Sequence, residues 1–80
     1  MKCYVTKYAL TKGILEVEGS AEPEGELLYV SVFGGIAAYF HGKDWHQLRF
    51  DAVLRASDMR DMKIKALKKQ IRKLEAMRFE

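Results

Sequence analysis

Ile64, Leu67, Ile71 and Leu74 are spaced three, four and three residues apart, which puts all four on one stripe of a helix. They lie in the run 62–79, whose other residues are Lys, Arg, Gln, Glu, Ala and Met, all good helix formers, and Phe79. An apolar stripe of this kind needs a surface to lie on. Eighty residues supply little of one, since a chain this short buries only about 60–65% of its unfolded surface. The stripe therefore marks the chain as a binding protein whose far helix seeks a partner.

The charge is unevenly placed. From Arg60 onward there are eight Lys/Arg against three Asp/Glu, a balance of +5, whereas residues 1–59 carry six against eight, a balance of −2. A basic helix on a slightly acidic body suits nucleic acid or an acidic protein surface, and a solvated helix face is the plainer explanation. The single cysteine, Cys3, allows no disulfide within the chain and points to a reducing compartment. No apolar run approaches the roughly 18 residues of a membrane span. The start of the chain lacks the apolar core of a signal peptide, so the expected location is the cytoplasm.

Residues 1–46 read as a small antiparallel sheet. A first strand covers Cys3–Ala9, and Gly13 precedes a second, Ile14–Glu18, with Leu15 and Val17 on one face and Glu16 and Glu18 on the other. Gly19–Gly25 holds two glycines, the only proline and a cluster of acids, and reads as a loop. Leu27–Phe33 and Ile36–His41 form a hairpin about Gly34-Gly35. Gly42–Asp44 turns the chain, and Trp45-His46 leads into a helix covering 47–79. The expected fold is α+β: three or four antiparallel strands in one domain, 1–80, followed by one long C-terminal α-helix.

The near half of that helix should present Leu48, Ala52, Val53, Ala56 and Met59 to the sheet. Ser57 and Arg60 fall where a continuous 3.5-residue seam would need apolar residues. Either the apolar face drifts at the natural 3.6 period, or the helix breaks near Ser57-Asp58 with Asp58 capping a second helix. One continuous helix is the preferred reading. About thirty helical residues span about 45 Å, and strands of five to seven residues span only about 17–23 Å. Half the helix must therefore overhang the sheet, carrying Ile64, Leu67, Ile71 and Leu74 into water. Ile and Leu in this alternation suit a parallel two-stranded coil, so a homodimer through these four residues is expected. Two heptads are too few to pair alone, so the body must contribute.

The most site-like stretch is 39–46, where Tyr39, His41, Lys43, Asp44, Trp45 and His46 crowd together with Arg49 close behind. Exposed Trp, Tyr, His and Arg are the residue types that dominate binding energy, which makes these candidates for a partner or ligand. An ordinary turn over a packed Trp45 is the competing explanation. His41, Asp44, His46 and Cys3 match no standard zinc spacing, so neither metal nor cofactor is expected. No serine, threonine or cysteine has the context of an activated nucleophile, so an enzyme is not expected either. Lys7, Thr11 and Lys12 mark a second polar turn before Gly13. If both turns shared one end of the sheet, they would form a basic, aromatic-lined pocket able to hold a nucleotide phosphate and stack its base.

Lys7-Tyr-Ala-Leu-Thr-Lys-Gly-Ile14, Tyr39-Phe-His-Gly42, Asp44-Trp-His46 and Lys63-Ile-Lys-Ala-Leu-Lys-Lys-Gln-Ile-Arg-Lys-Leu74, with Phe79 near the end, together resemble a group of small bacteriophage and prophage proteins. The resemblance spans most of the chain and is weakest between Glu16 and Ala38. Its members begin the helix with a Ser/Thr cap and acidic residues, and Leu48–Asp51 departs from that pattern. The resemblance implies a phage-encoded protein of the host cytoplasm. The function expected is non-enzymatic antagonism of a host process, such as a defence system, by binding a host protein or a nucleotide signal. The alternative is a nucleic-acid-binding accessory protein using Lys65, Lys68, Lys69, Arg72 and Lys73 on phosphates.

Overall fold

Short segments rich in β-branched and aromatic residues, punctuated by glycine, give a chain of brief strands closed by one long helix. The computed structural model describes residues 1–22, 25–33 and 36–79. Its elements run β1 (Lys2–Val5), α1 (Ala9–Lys12), β2 (Leu15–Glu18), β3 (Ser20–Ala21), β4 (Leu28–Phe33), β5 (Ile36–Phe40), β6 (Trp45–His46) and α2 (Arg49–Glu75). The class is α+β with antiparallel pairing throughout, as the sequence predicts. The strands form two three-stranded sheets, in the orders β2-β1-β6 and β3-β4-β5, where the sequence suggested one.

Gly19 explains the division. Its N–H donates to the Met1 carbonyl at 2.9 Å, extending the first sheet, while its α-carbon passes directly over β4. A Cβ placed there would meet the Tyr29 carbonyl oxygen at 2.8 Å and Leu28 Cδ1 at 2.9 Å. Only glycine permits that approach. The next two residues then pair with β4, Ser20 against Tyr29 and Ala21 against Leu28, so part of the expected 19–25 loop is strand. The hairpin of β4 and β5 forms as expected, with Leu28 opposite Phe40, Tyr29 opposite Tyr39 and a register shift between Val30 and Phe33. Its predicted Gly34-Gly35 turn lies outside the described residues.

The first strand stops at Val5, not Ala9. Thr6 is fully buried, and its N–H donates to the Asp44 carbonyl at 2.8 Å. The Ala9 N–H then turns back to the Thr6 carbonyl at 3.0 Å, starting the single helical turn α1. Gly13 ends that turn at φ +78°, a conformation L side chains rarely adopt. Residues Trp45-His46, read as a lead into the helix, instead form β6 and pair with β1.

Both sheets feed one core of Cys3, Val5, Leu28, Val30, Phe40 and Trp45. Helix α2 lies against β1, β6 and α1. It is continuous through Ser57-Asp58, and Asp58 faces Arg55 at 4.0 Å instead of capping a second helix. Its contact with the body is narrow: Ala52 is buried and Ala56 and Met59 are half-buried. Leu48 and Val53, expected to face the sheet, are 63% and 41% exposed. Val53 is displaced about 100° around the helix from Ala52, so a body held by the alanine face cannot reach it.

Candidate binding surface

The 41–46 turn meets the end of β1 through Thr6, and the turn that carries Lys7, Thr11 and Lys12 does not share its hollow. The Thr6 N–H bonds the Asp44 carbonyl and its hydroxyl donates to the Lys43 carbonyl at 3.4 Å, tying the β1–α1 junction to the 41–46 turn. With the one hydroxyl proton so used, the Thr6 oxygen accepts from His46 Nε2, 3.4 Å away. Burial pushes the His46 pKa below its ordinary value; Arg55 adds to the shift and Asp51 opposes it. His46 is thus held neutral as a structural donor.

The other residues of this cluster scatter. Lys7 and Lys12 are exposed, their ammonium groups 5.8 Å and 5.5 Å from the centre of the Tyr8 ring, within cation–π range. Thr11 donates its hydroxyl to the Tyr8 carbonyl at 3.2 Å, a bond within its own helical turn. Tyr39 belongs to the other sheet, tilted against Tyr29 with ring centres 5.1 Å apart. Trp45 is only 5% exposed, and its indole N–H donates to the Glu26 carbonyl at 3.3 Å. A buried indole offers no face on which to stack a base. Arg49 is exposed at the first turn of α2.

A shallow hollow of about 590 Å³ gathers His41, Lys43 and Asp44 with Glu26 and Arg55. Sequence reasoning missed Glu26 and Arg55, which are distant in the chain and carry no local signal. Arg55 Nε is buried and has no hydrogen-bond partner among the described residues. Lysine and arginine are balanced there by glutamate and aspartate, so the hollow gives an anion no net attraction. Lys7, Thr11 and Lys12 do not line it. Among the described residues no group of three or more His, Cys, Asp or Glu is placed to hold a metal ion, and Cys3 is fully buried in the core.

Helix α2 is different. Every described residue from Arg60 to Phe79 is exposed. Ile64 and Leu67 are each 43% exposed, Ile71 53% and Leu74 64%. The concavity along 61–72 is the flank of this one helix and encloses nothing. Lys65, Lys69, Arg72 and Lys73 occupy the side opposite the apolar stripe, with Lys68 at its margin, by about 100° per residue. Sequence reasoning also missed Phe50 and Leu54, 71% and 55% exposed beside Val53 near the start of the helix. The signal was present, since Phe50 and Val53 continue the three-four spacing backward.

No described helix is long and apolar enough to cross a membrane. Comparison with protein-family models, with curated proteins and with solved structures finds no match to this chain.

Proposed function

We propose that this chain is a non-enzymatic binding protein that pairs with a second copy through α2 and, as a phage product in the host cytoplasm, antagonises a host process by occupying a host protein. The observation that carries this reading is that every residue of 60–79 is exposed, an apolar stripe backed by a basic face and standing clear of the body. Such a patch at the end of a rigid helix is the mark of an interaction surface. The helix outweighs the hollow as the working surface because the hollow has balanced charge and its tryptophan is buried. The phage setting rests on the resemblance in sequence, and defence is the host process proposed.

A plating assay tests it. Expression of the chain in a defence-carrying host should raise the plating of a phage that the defence restricts, and Leu67→Asp should abolish the gain. Unchanged plating across a panel of defence systems, or an active Leu67→Asp variant, would contradict the reading.

A second reading is favoured by the grouping of Lys65, Lys69, Arg72 and Lys73 on one exposed side: direct binding of nucleic acid. Duplex affinity would then fall by about 0.9 log unit per log unit of salt for each phosphate neutralised. Substituting Lys69 and Arg72 by Gln should flatten that slope. Duplex binding that is insensitive to salt would eliminate this reading.

A further inference from the structure

The spacing of Ile64 to Leu74 runs back without a break through Arg60, Ser57, Val53 and Phe50. Val53 and Phe50 are exposed on the same side of α2 as the distal stripe, turned away from the sheets. One seam therefore extends along nearly the whole 27-residue helix, apolar at both ends and polar in the middle. A second copy of the chain is the occupant this seam fits, and its charge specifies the direction of approach.

Residues 49–61 carry three Arg and three Asp, whereas residues 62–78 carry seven Lys/Arg and one Glu. A parallel pair would lay one +6 segment along the other, set Arg60 against Arg60, and place Lys63 beside the partner's Lys68. We propose that the two helices pack antiparallel, each basic distal half lying along the neutral near half of its partner. This rests on the pairing put forward above and goes beyond it by fixing orientation and register. Ile64 meets the partner's Leu67 at the centre of the seam, Arg60 meets the partner's Ile71, and Ser57 meets the partner's Leu74. On the flank, Asp61 lies beside the partner's Lys68, so the pair that was repulsive becomes attractive, twice by symmetry. Ile and Leu in alternation alone would suit a parallel coil, but flanking charge sets orientation, and here it opposes that arrangement.

Disulfide trapping on the full chain tests the orientation. Arg60→Cys and Ile71→Cys are prepared as separate single variants, one with a mass-distinguishing tag, then mixed and gently oxidised. Cys3 stays silent because it is fully buried and burial pushes its thiol pKa up. In the antiparallel register, positions 60 and 71 face each other across the seam. Each is offset from its own copy by eleven residues, about 16 Å, beyond the reach of a disulfide. A mixed 60–71 disulfide in clear excess over either self-linked product is the result expected. Self-linked 71–71 and 60–60 products would overturn the antiparallel orientation while leaving pairing intact. A dimeric mass without any disulfide would overturn the register. A monomeric mass without any disulfide would overturn pairing itself.

Discussion

At Gly19 the chain leaves one sheet for the other across a gap that admits no side chain. A Cβ there meets backbone on one side and Leu28 on the other, neither of which yields as a flexible side-chain tip would. Gly19→Ala should cost about 1–3 kcal/mol, read as a lower urea midpoint with unchanged slope. Thr6 and His46 make the second residue-scale device, a buried hydroxyl and a neutral imidazole joining β1 to the turn before β6. The His46 pKa is lowered in the fold, so the unfolded chain takes up the proton first as pH falls. The stability this group contributes is complete above its ordinary value of 6.5 and declines as pH drops through the folded value. Thermal melts between about pH 8 and pH 5 should show that decline, and His46→Gln should flatten it. An identical slope in the variant would assign the pH dependence elsewhere.

At the scale of elements, the long helix, the β4–β5 hairpin and the strand at Leu15–Glu18 were legible because their patterns are local: a 3.6-residue stripe, an apolar run and an alternation with glutamates. The split sheet was not, because it depends on a steric contact between Gly19 and Leu28, which no periodicity records. The strand at Trp45-His46 was missed for a related reason, since two residues carry no repeat and its pairing with Tyr4 and Val5 is long-range. The sequence leaves Trp45 open between a packed position and a partner contact because its neighbours are polar; the structure buries it against strands from both sheets. The overhang was foreseen and is present, but the exposure of Phe50 and Val53 was not. That difference matters energetically. Covering the four distal side chains, already half shielded by their own helix, is worth on the order of 1 kcal/mol each. Two copies then gain roughly 8 kcal/mol against an association cost of about 4–15 kcal/mol, so the stripe alone is marginal. In the proposed pair Phe50 and Val53 would supply the remainder. Arg60→Leu should accordingly tighten self-association several-fold in sedimentation equilibrium, by replacing a charge within the proposed seam, opposite Ile71, with an apolar side chain. Unchanged association in that variant would place Arg60 outside the interface.

For the whole molecule, the extents of 59 × 26 × 20 Å describe a small body with a projecting rod. The body's core is six side chains, and the helix contributes only Ala52 to the buried set, so the rod is held by one end and left bare along the other. On the proposed reading, altering the bare face leaves the fold in place and removes the pairing. Leu67→Asp should leave the melting behaviour of the body nearly unchanged, since Leu67 lies on the exposed distal half of α2, away from the buried core. Sedimentation equilibrium of the unaltered chain is the most direct test of this account. The mass should rise with concentration to twice the 9.2 kDa of one chain, with Leu67→Asp fixed at the single-chain value. A 9.2 kDa particle that persists to the highest concentration reached would contradict it.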